Sequence, residues 1–275
     1  MGVLNVTPDS FSDGGHYLER EAAVERGVEL VAEGADIIDI GGESTKPGSE
    51  PVPTKEEFRR VIPVVTELRK KTGALLSIDT TKADIARAAL EAGADLVNDI
   101  SSFRFDARMI SLVAQKDVPV ILMHMKGTPK TMQAEARYDD LLGEVKSFLK
   151  ERIEVARAYG IKKEKIIVDP GIGFGKRFQD NLALINRLPF LEELACPLLV
   201  GLSRKSFIGK ILNSPPLERL EGTIAASVLS IIRGAHILRV HDVRAVKRAV
   251  LVAEAILNEP QDKNSYGENK NRYVC

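Results

Sequence analysis

Gly160-Ile161-Lys162-Lys163-Glu164-Lys165-Ile166-Ile167-Val168-Asp169-Pro170-Gly171-Ile172-Gly173-Phe174-Gly175-Lys176 contains one whole structural unit. Upstream, Leu141, Val145, Phe148, Arg152 and Ala156 recur at three- and four-residue steps, the stripe of an amphipathic helix. Gly160 follows that helix, where glycine accepts the left-handed backbone of a helix end at little cost. Residues 165–168 then read as a short strand, continuously apolar from Ile166 to Val168, which suits a strand covered on both faces. Beyond it, Asp169 opens a glycine-rich polar loop.

The unit repeats along the chain. Strand-like runs lie at residues 2–6, 36–40, 74–78, 95–97, 118–123, 165–168, 197–200 and 236–240. Gly34, Gly73, Gly93, Gly160 and Gly234 each stand between a helical stretch and the next strand, in the place of a helix C-cap. A helical stripe runs through Val243, Val246, Val250, Ala253 and Leu257. This pattern predicts an α/β fold, a single (β/α)8 TIM barrel over residues 1–257, with a doubly wound open sheet as its structural rival. Residues 258–275 are polar and charged, and are expected to form a mobile tail.

Composition narrows the function. Lys plus Arg number 39 and Asp plus Glu number 39, so the formal net charge is zero. That balance gives no electrostatic case for nucleic acid or an anionic membrane surface. Cys196 and Cys275 are poorly placed for a disulfide framework. Neither a basic-then-apolar leader nor a bilayer-length apolar run is evident, and the expectation is a soluble, cytoplasmic protein.

Chemistry concentrates just after the strands. The first leads into Asn5-Val6-Thr7-Pro8-Asp9 and the second into Gly41-Gly42-Glu43-Ser44-Thr45-Lys46-Pro47-Gly48. Asp79-Thr80, Asn98-Asp99 and Met123-His124-Met125 end the next three, and Asp169–Lys176 follows the sixth. Gly201-Leu202-Ser203-Arg204-Lys205-Ser206 follows the seventh, and Arg239 and His241 close the eighth. In a parallel barrel these ends share one rim, where active sites are built. Singly, Asp79, Asn98 and Asp106 also suit helix N-caps, and Asp242 suits a cap better than catalysis. The glycine loop at 171–176 lacks the glycine that a dinucleotide fingerprint needs at Lys176 and the one that a phosphate loop needs at Pro170. Its glycines suit close backbone approach to a flat ligand. Ser203–Ser206 at a helix start, with Arg239 and His241 nearby, suits an anion. Residues 7–17 and 41–53 are long enough to act as lids.

Residues 5–15, 36–48, 77–80, 97–100, 122–133, 169–176, 203–209 and 239–243 resemble the signature stretches of dihydropteroate synthases, and the likeness runs from about residue 2 to residue 257. The resemblance implies a homodimeric barrel that joins 6-hydroxymethyl-7,8-dihydropterin pyrophosphate to p-aminobenzoate, making 7,8-dihydropteroate and pyrophosphate. It places Asp79, Asn98, Met123, Asp169, Phe174, Gly201, Lys205 and Arg239 around the pterin. Asn5, Arg239 and His241 are assigned to the pyrophosphate, with Asn5 also holding Mg2+. Thr45, Lys46, Pro47, Lys205 and Ser206 shape the p-aminobenzoate side. Lys205, Asp79, Asp13, Arg239 and His241 form the implied catalytic set, Asp13 entering as the first loop closes. Two departures stand out. Lys46 occupies the place where many relatives carry Arg, which loses the planar fork. The first strand also begins almost at Met1, where relatives have a preceding segment. The rivals are a pterin-dependent methyltransferase domain, which has no need of the Ser203–Ser206 and Arg239–His241 anion set, and a non-catalytic pterin-binding module.

Overall fold

The computed structural model describes residues 1–7, 15–134 and 136–259, with the backbone alone for 15–19. Eight strands alternate with helices: β1 Gly2–Asn5, β2 Ile37–Gly41, β3 Leu75–Asp79, β4 Leu96–Asp99, β5 Val120–Met123, β6 Ile166–Asp169, β7 Leu199–Gly201 and β8 Ile237–Arg239. Each lies within a residue or two of its expected place. β1 to β6 pair in parallel order, as do β7 and β8. Both seams are bridged by backbone bonds. Val168 N–H donates to Pro197 O at 2.9 Å, Val3 N–H to Val240 O at 2.9 Å, and Val240 N–H to Met1 O at 2.9 Å. The ring therefore closes, and the open-sheet rival falls.

The helices are α1 Gly15–Ala32, α2 Thr54–Lys71, α3 Ala83–Glu91, α4 Arg108–Lys116, α5 Leu141–Ala158, α6 Phe178–Asn186, α7 Ser206–Leu212, α8 Leu220–Ile232 and α9 Val243–Leu257. α5 starts where Asp140 accepts a bond from Gly143 N–H at 3.1 Å, satisfying an otherwise orphaned donor. Gly34, Gly93, Gly160 and Gly234 have φ of 102°, 109°, 90° and 92°, as helix-ending glycines should. Gly73 does not. α2 ends instead through Thr72 in extended backbone, whose N–H bonds Leu68 O. α1 begins at Gly15, so the first loop is shorter than the 7–17 span expected, and residues 8–14 lie outside the described residues. Residues 260–275, most of the expected tail, lie outside them as well.

Strand alternation splits the barrel into two populations. One set, including Ile38, Ile40, Leu76, Ile78, Val97, Val120, Leu122, Ile166, Val168 and Val200, joins the large core beneath the helices. The alternate set faces the barrel axis. Met1, Leu96, Ile121 and Leu199 form a separate apolar cluster there, with Ile37, Ile167 and Ile237 packed against it. One pleat further on, the same strands carry Asp39, Asp79, Asn98, Met123, Asp169, Gly201 and Arg239. The floor is thus oil and the upper layers are polar. Among the described residues no helix is long and apolar enough to cross a membrane.

Candidate functional site

Register gathers the upper layer. Asn5 pairs with Gly41, Gly41 with Asp79, Asp79 with Asn98, Met123 with Asp169, and Gly201 with Arg239. Arg239 is the hub. Its Nη2 donates to Asp79 Oδ2 at 2.7 Å and its Nε to Asp39 Oδ2 at 2.5 Å. Asn98 Nδ2 donates to the same Asp39 oxygen at 3.1 Å. Asp39 was not among the residues expected here. A lone carboxylate inside an apolar strand was its sequence signal.

Asp169 lies across the ring and accepts a bond from Gly171 N–H at 2.6 Å through Oδ1. The glycine loop then turns back. Phe174 N–H bonds Gly171 O at 3.0 Å, and the Phe174 ring lies 4.3 Å from Lys205 Nζ in a cation–π contact. Gly173 faces the Lys205 stem so closely that a Cβ there would lie 3.1 Å from Lys205 Cδ. Met123 packs with Ile100, Met125 and Met132, and Phe174 packs against that cluster. The expected pterin set is therefore brought together by the strands, the glycine loop and Lys205.

Electrostatics bear burial's imprint. Burial pushes the Asp79 carboxyl up to about 7, against the pull of Arg239. It pushes Asp169 up to about 6, opposed by the Gly171 N–H. Burial lowers Lys205 to about 8, with Arg239 adding to the effect. Burial also acts against the Arg239 charge, but Asp39 and Asp79 outweigh it and hold the guanidinium above its ordinary value. His241 is driven down to about 4 by burial and then by Arg239 and Arg204. It is neutral near pH 7, so it offers an anion a hydrogen bond rather than a charge.

The neighbouring rim is braced separately. His241 Nδ1 lies 3.0 Å from Ser203 Oγ, and Arg204 clamps Asp242 through Nε at 3.1 Å and Nη2 at 2.6 Å. Asp242 occupies the N-cap position of α9 yet makes no cap bond, because its oxygens are taken by Arg204. Asp79 and Asn98 do not cap helices either. Asp106 does serve the start of α4, accepting from Arg108 N–H at 3.0 Å. Lys205 precedes α7 and Ser206 opens it, exposed. Asn5 is exposed at the end of β1.

The second loop stands apart from this cluster. Gly48 N–H bonds Pro129 O at 3.0 Å and Lys130 Nζ bonds Glu50 at 2.7 Å, fastening the loop to the segment after β5. Thr45 is half-buried, Lys46 and Pro47 are exposed, and no hydrogen bond joins their side chains to the pterin set. Asp13 lies outside the described residues. His124 stands at the rim but turns its ring into the helix layer, edge-on to Phe148 at 5.0 Å.

Fold and site together define a class: a parallel α/β barrel enzyme whose mouth gathers buried acceptors and cations suited to a flat heterocycle. The model of the family of pterin binding enzymes matches residues 1–241, and the chain belongs to that family. It is 51% identical to a dihydropteroate synthase of Synechocystis over 93% of this chain and 89% of that protein. A Yersinia pestis dihydropteroate synthase solved with a sulfonamide drug superposes with TM-score 0.89 at 44% identity, covering 94% and 93% of the two chains. The Xanthomonas albilineans enzyme with 4-aminobenzoic acid gives TM-score 0.89 at 48% identity, again over 94% and 93%.

Proposed function

We propose that this transferase of the folate pathway condenses 6-hydroxymethyl-7,8-dihydropterin pyrophosphate with p-aminobenzoate, giving 7,8-dihydropteroate and pyrophosphate. One observation carries the assignment of residues. Asp79, Asn98, Asp169, Lys205 and Arg239 converge from five strand ends on one mouth, above an apolar floor. Arg239 takes Asp79 Oδ2 and Gly171 takes Asp169 Oδ1, which leaves Asp79 Oδ1 and Asp169 Oδ2 to accept from the pterin's N–H edge. Asn98 supplies a mixed donor and acceptor beside them. Lys205 donates to the ring from above Phe174, and Arg239 lies along the ring's face, next to Gly201.

The reaction breaks the bond between the pterin's methylene carbon and the diphosphate oxygen. The electron pair leaves with the diphosphate, where Arg239 and the neutral ring of His241 meet the developing charge. The carbon cation is stabilised by the pterin and the nearby carboxylates. The aryl amine attacks it and loses a proton, with no protein nucleophile needed. Thr45, Pro47, Lys205 and Ser206 frame the aryl amine, and Lys46 approaches it or the diphosphate as a point charge. Asp13 completes the mouth when the first loop closes.

Mg2+ suits the donor set in a limited way. Among the described residues no cluster of three or more His, Cys, Asp or Glu could hold a metal. The amide oxygen of Asn5 is a hard donor at the rim, and Mg2+ commonly keeps waters and takes substrate phosphate oxygens. Asn5 with the diphosphate would hold the ion, which when bound offsets leaving-group charge. The chain acts in the cytoplasm as a homodimer, paired through the apolar outer faces of α8 and α9.

The test is incubation of the purified chain with pterin pyrophosphate, p-aminobenzoate and Mg2+, with dihydropteroate expected as product. Its absence sinks the assignment. Lys205→Ala and Asp169→Asn are each expected to abolish product while circular dichroism shows the fold retained. Sulfonamides should inhibit in competition with p-aminobenzoate, and inhibition indifferent to its concentration would contradict this site.

A further inference from the structure

We propose that Lys176 is a positioning residue for the pterin site, its buried side-chain nitrogen tying the end of β5 to the glycine loop that carries Phe174. This rests on the pterin reading above.

Lys176 is 2% exposed. No carboxylate lies within salt-bridge reach of it among the described residues. Its nitrogen faces three acceptors: His124 Nδ1 at 2.9 Å, His124 O at 3.3 Å and Phe174 O at 3.0 Å. Burying an ammonium without a counter-charge is costly, so a residue that only filled space would be better as an apolar one. Burial lowers Lys176 to about 7, with Asp169 pulling the other way. Burial also drives His124 down to about 2, with Lys176 adding to the effect. The His124 ring is therefore neutral, its Nδ1 accepts from Lys176, and its proton sits on Nε2.

What Lys176 holds is specific. Two other carbonyls of the loop have donors of their own: Gln133 Nε2 bonds Gly173 O at 3.1 Å and Tyr138 Oη bonds Gly175 O at 2.7 Å. Phe174 O has Lys176 alone among the described residues. His124 N–H bonds Asp169 O at 2.9 Å, so the lysine clamps the strand end that delivers Asp169 to the loop that delivers Phe174. The Phe174 ring in turn supports Lys205. Losing the clamp should loosen the pterin's seat, Lys205 included, and leave the rest of the p-aminobenzoate side, at 45–47 and Ser206, intact.

The experiment compares the full-length wild type with Lys176→Met, which keeps the length without donors, and Lys176→Gln, which restores one amide donor. Calorimetry measures the Kd of 6-hydroxymethylpterin, and steady-state kinetics measure KM for each substrate. Lys176→Met should weaken pterin binding and raise the KM for pterin pyrophosphate by at least about tenfold. The KM for p-aminobenzoate should stay within about twofold, and Lys176→Gln should recover part of the loss. Unchanged pterin affinity overturns the proposal. So does an equal rise in both KM values, which would mean general loosening. Where Lys176→Met does not fold, Lys176→Gln decides by the same constants. A wild type that binds pterin but forms no dihydropteroate sinks the synthase reading alone; one that binds no pterin sinks both.

Discussion

Asp39 is fully buried, and one of its oxygens serves both Arg239 and Asn98 while the other has no partner among the described residues. It fixes two side chains, Arg239 and Asn98, that are proposed to face the pterin. Asp39→Asn keeps the shape and removes the charge opposite Arg239. Breaking a fully buried pair costs about 3–5 kcal/mol. The Arg239 side chain is 22% exposed and keeps Asp79, so a loss of about 2 kcal/mol is expected from denaturant midpoints. The kcat/KM for pterin pyrophosphate should fall by about a hundredfold. An unchanged value would remove Asp39 from the site's architecture. pH offers a second measurement at this scale. Asp169, at about 6, and Asp79, at about 7, must be ionised to accept from the pterin, so activity is lost as pH falls through that window. Lys205, at about 8, is a strong donor only as the cation, so activity declines as pH rises through it. The kcat/KM profile should be a narrow bell whose limbs belong to the coupled cluster rather than to single residues. A profile flat from about pH 5 to 9 would contradict the buried cluster. Asp79, Asn98, Asp169, Lys205 and Arg239 could be read from the sequence because they follow strands. The roles of Asp39 and Lys176 were not read, although Asp39 stood out as a charge in an apolar strand, because those roles depend on which pleat faces the axis and on what a loop folds back against.

Among elements, the strands and their order were legible because eight short apolar runs separated by helical stripes allow few topologies. The division of each strand into an axis face and a helix face was hidden, since both faces are apolar at the barrel floor. The end of α2 at Thr72 was hidden too, because an extended residue ends a helix as well as a left-handed glycine does. The loop after β6 shows where glycine is required. Gly171 has φ of 68°, and a Cβ there would lie 2.0 Å from His124 O. Gly171→Ala therefore combines left-handed strain, about 1–2 kcal/mol, with a backbone clash that no side chain can relieve. Gly48 has φ of 80° but open space around its Cβ position. Gly48→Ala should cost only about 1 kcal/mol and leave pterin affinity unchanged. Gly171→Ala should cost more in thermal melts and weaken pterin binding measured by calorimetry. Equal penalties for the two would show that conformational strain, not the approach of β5 to the loop, governs the site.

At the scale of the whole molecule the barrel leaves an apolar surface on α8 and α9 unexplained. Leu229 and Ile232 on α8 and Leu251, Val252, Ile256 and Leu257 on α9 are all exposed, Ile256 by 68%. α8 and α9 pack side by side, so these side chains adjoin one another on the outside of the barrel. Scattered single apolar residues are ordinary on a surface, but a cluster on two neighbouring helices marks an interface. A second copy of the chain suits it: the net charge of zero opposes no self-association, and a twofold contact needs only one self-complementary patch. These side chains sit on the outer helix layer, and Leu251 to Leu257 lie in the half of α9 that runs away from the mouth, because each helix starts at the rim and returns to the barrel floor. Val252→Asp with Ile256→Asp should therefore convert a dimer into a monomer at micromolar concentration in analytical ultracentrifugation while pterin affinity is kept. A wild-type chain that sediments as a monomer would refute the pairing. A monomeric double variant that loses pterin binding would instead show that the two barrels support each other's mouths through the α8–α9 contact.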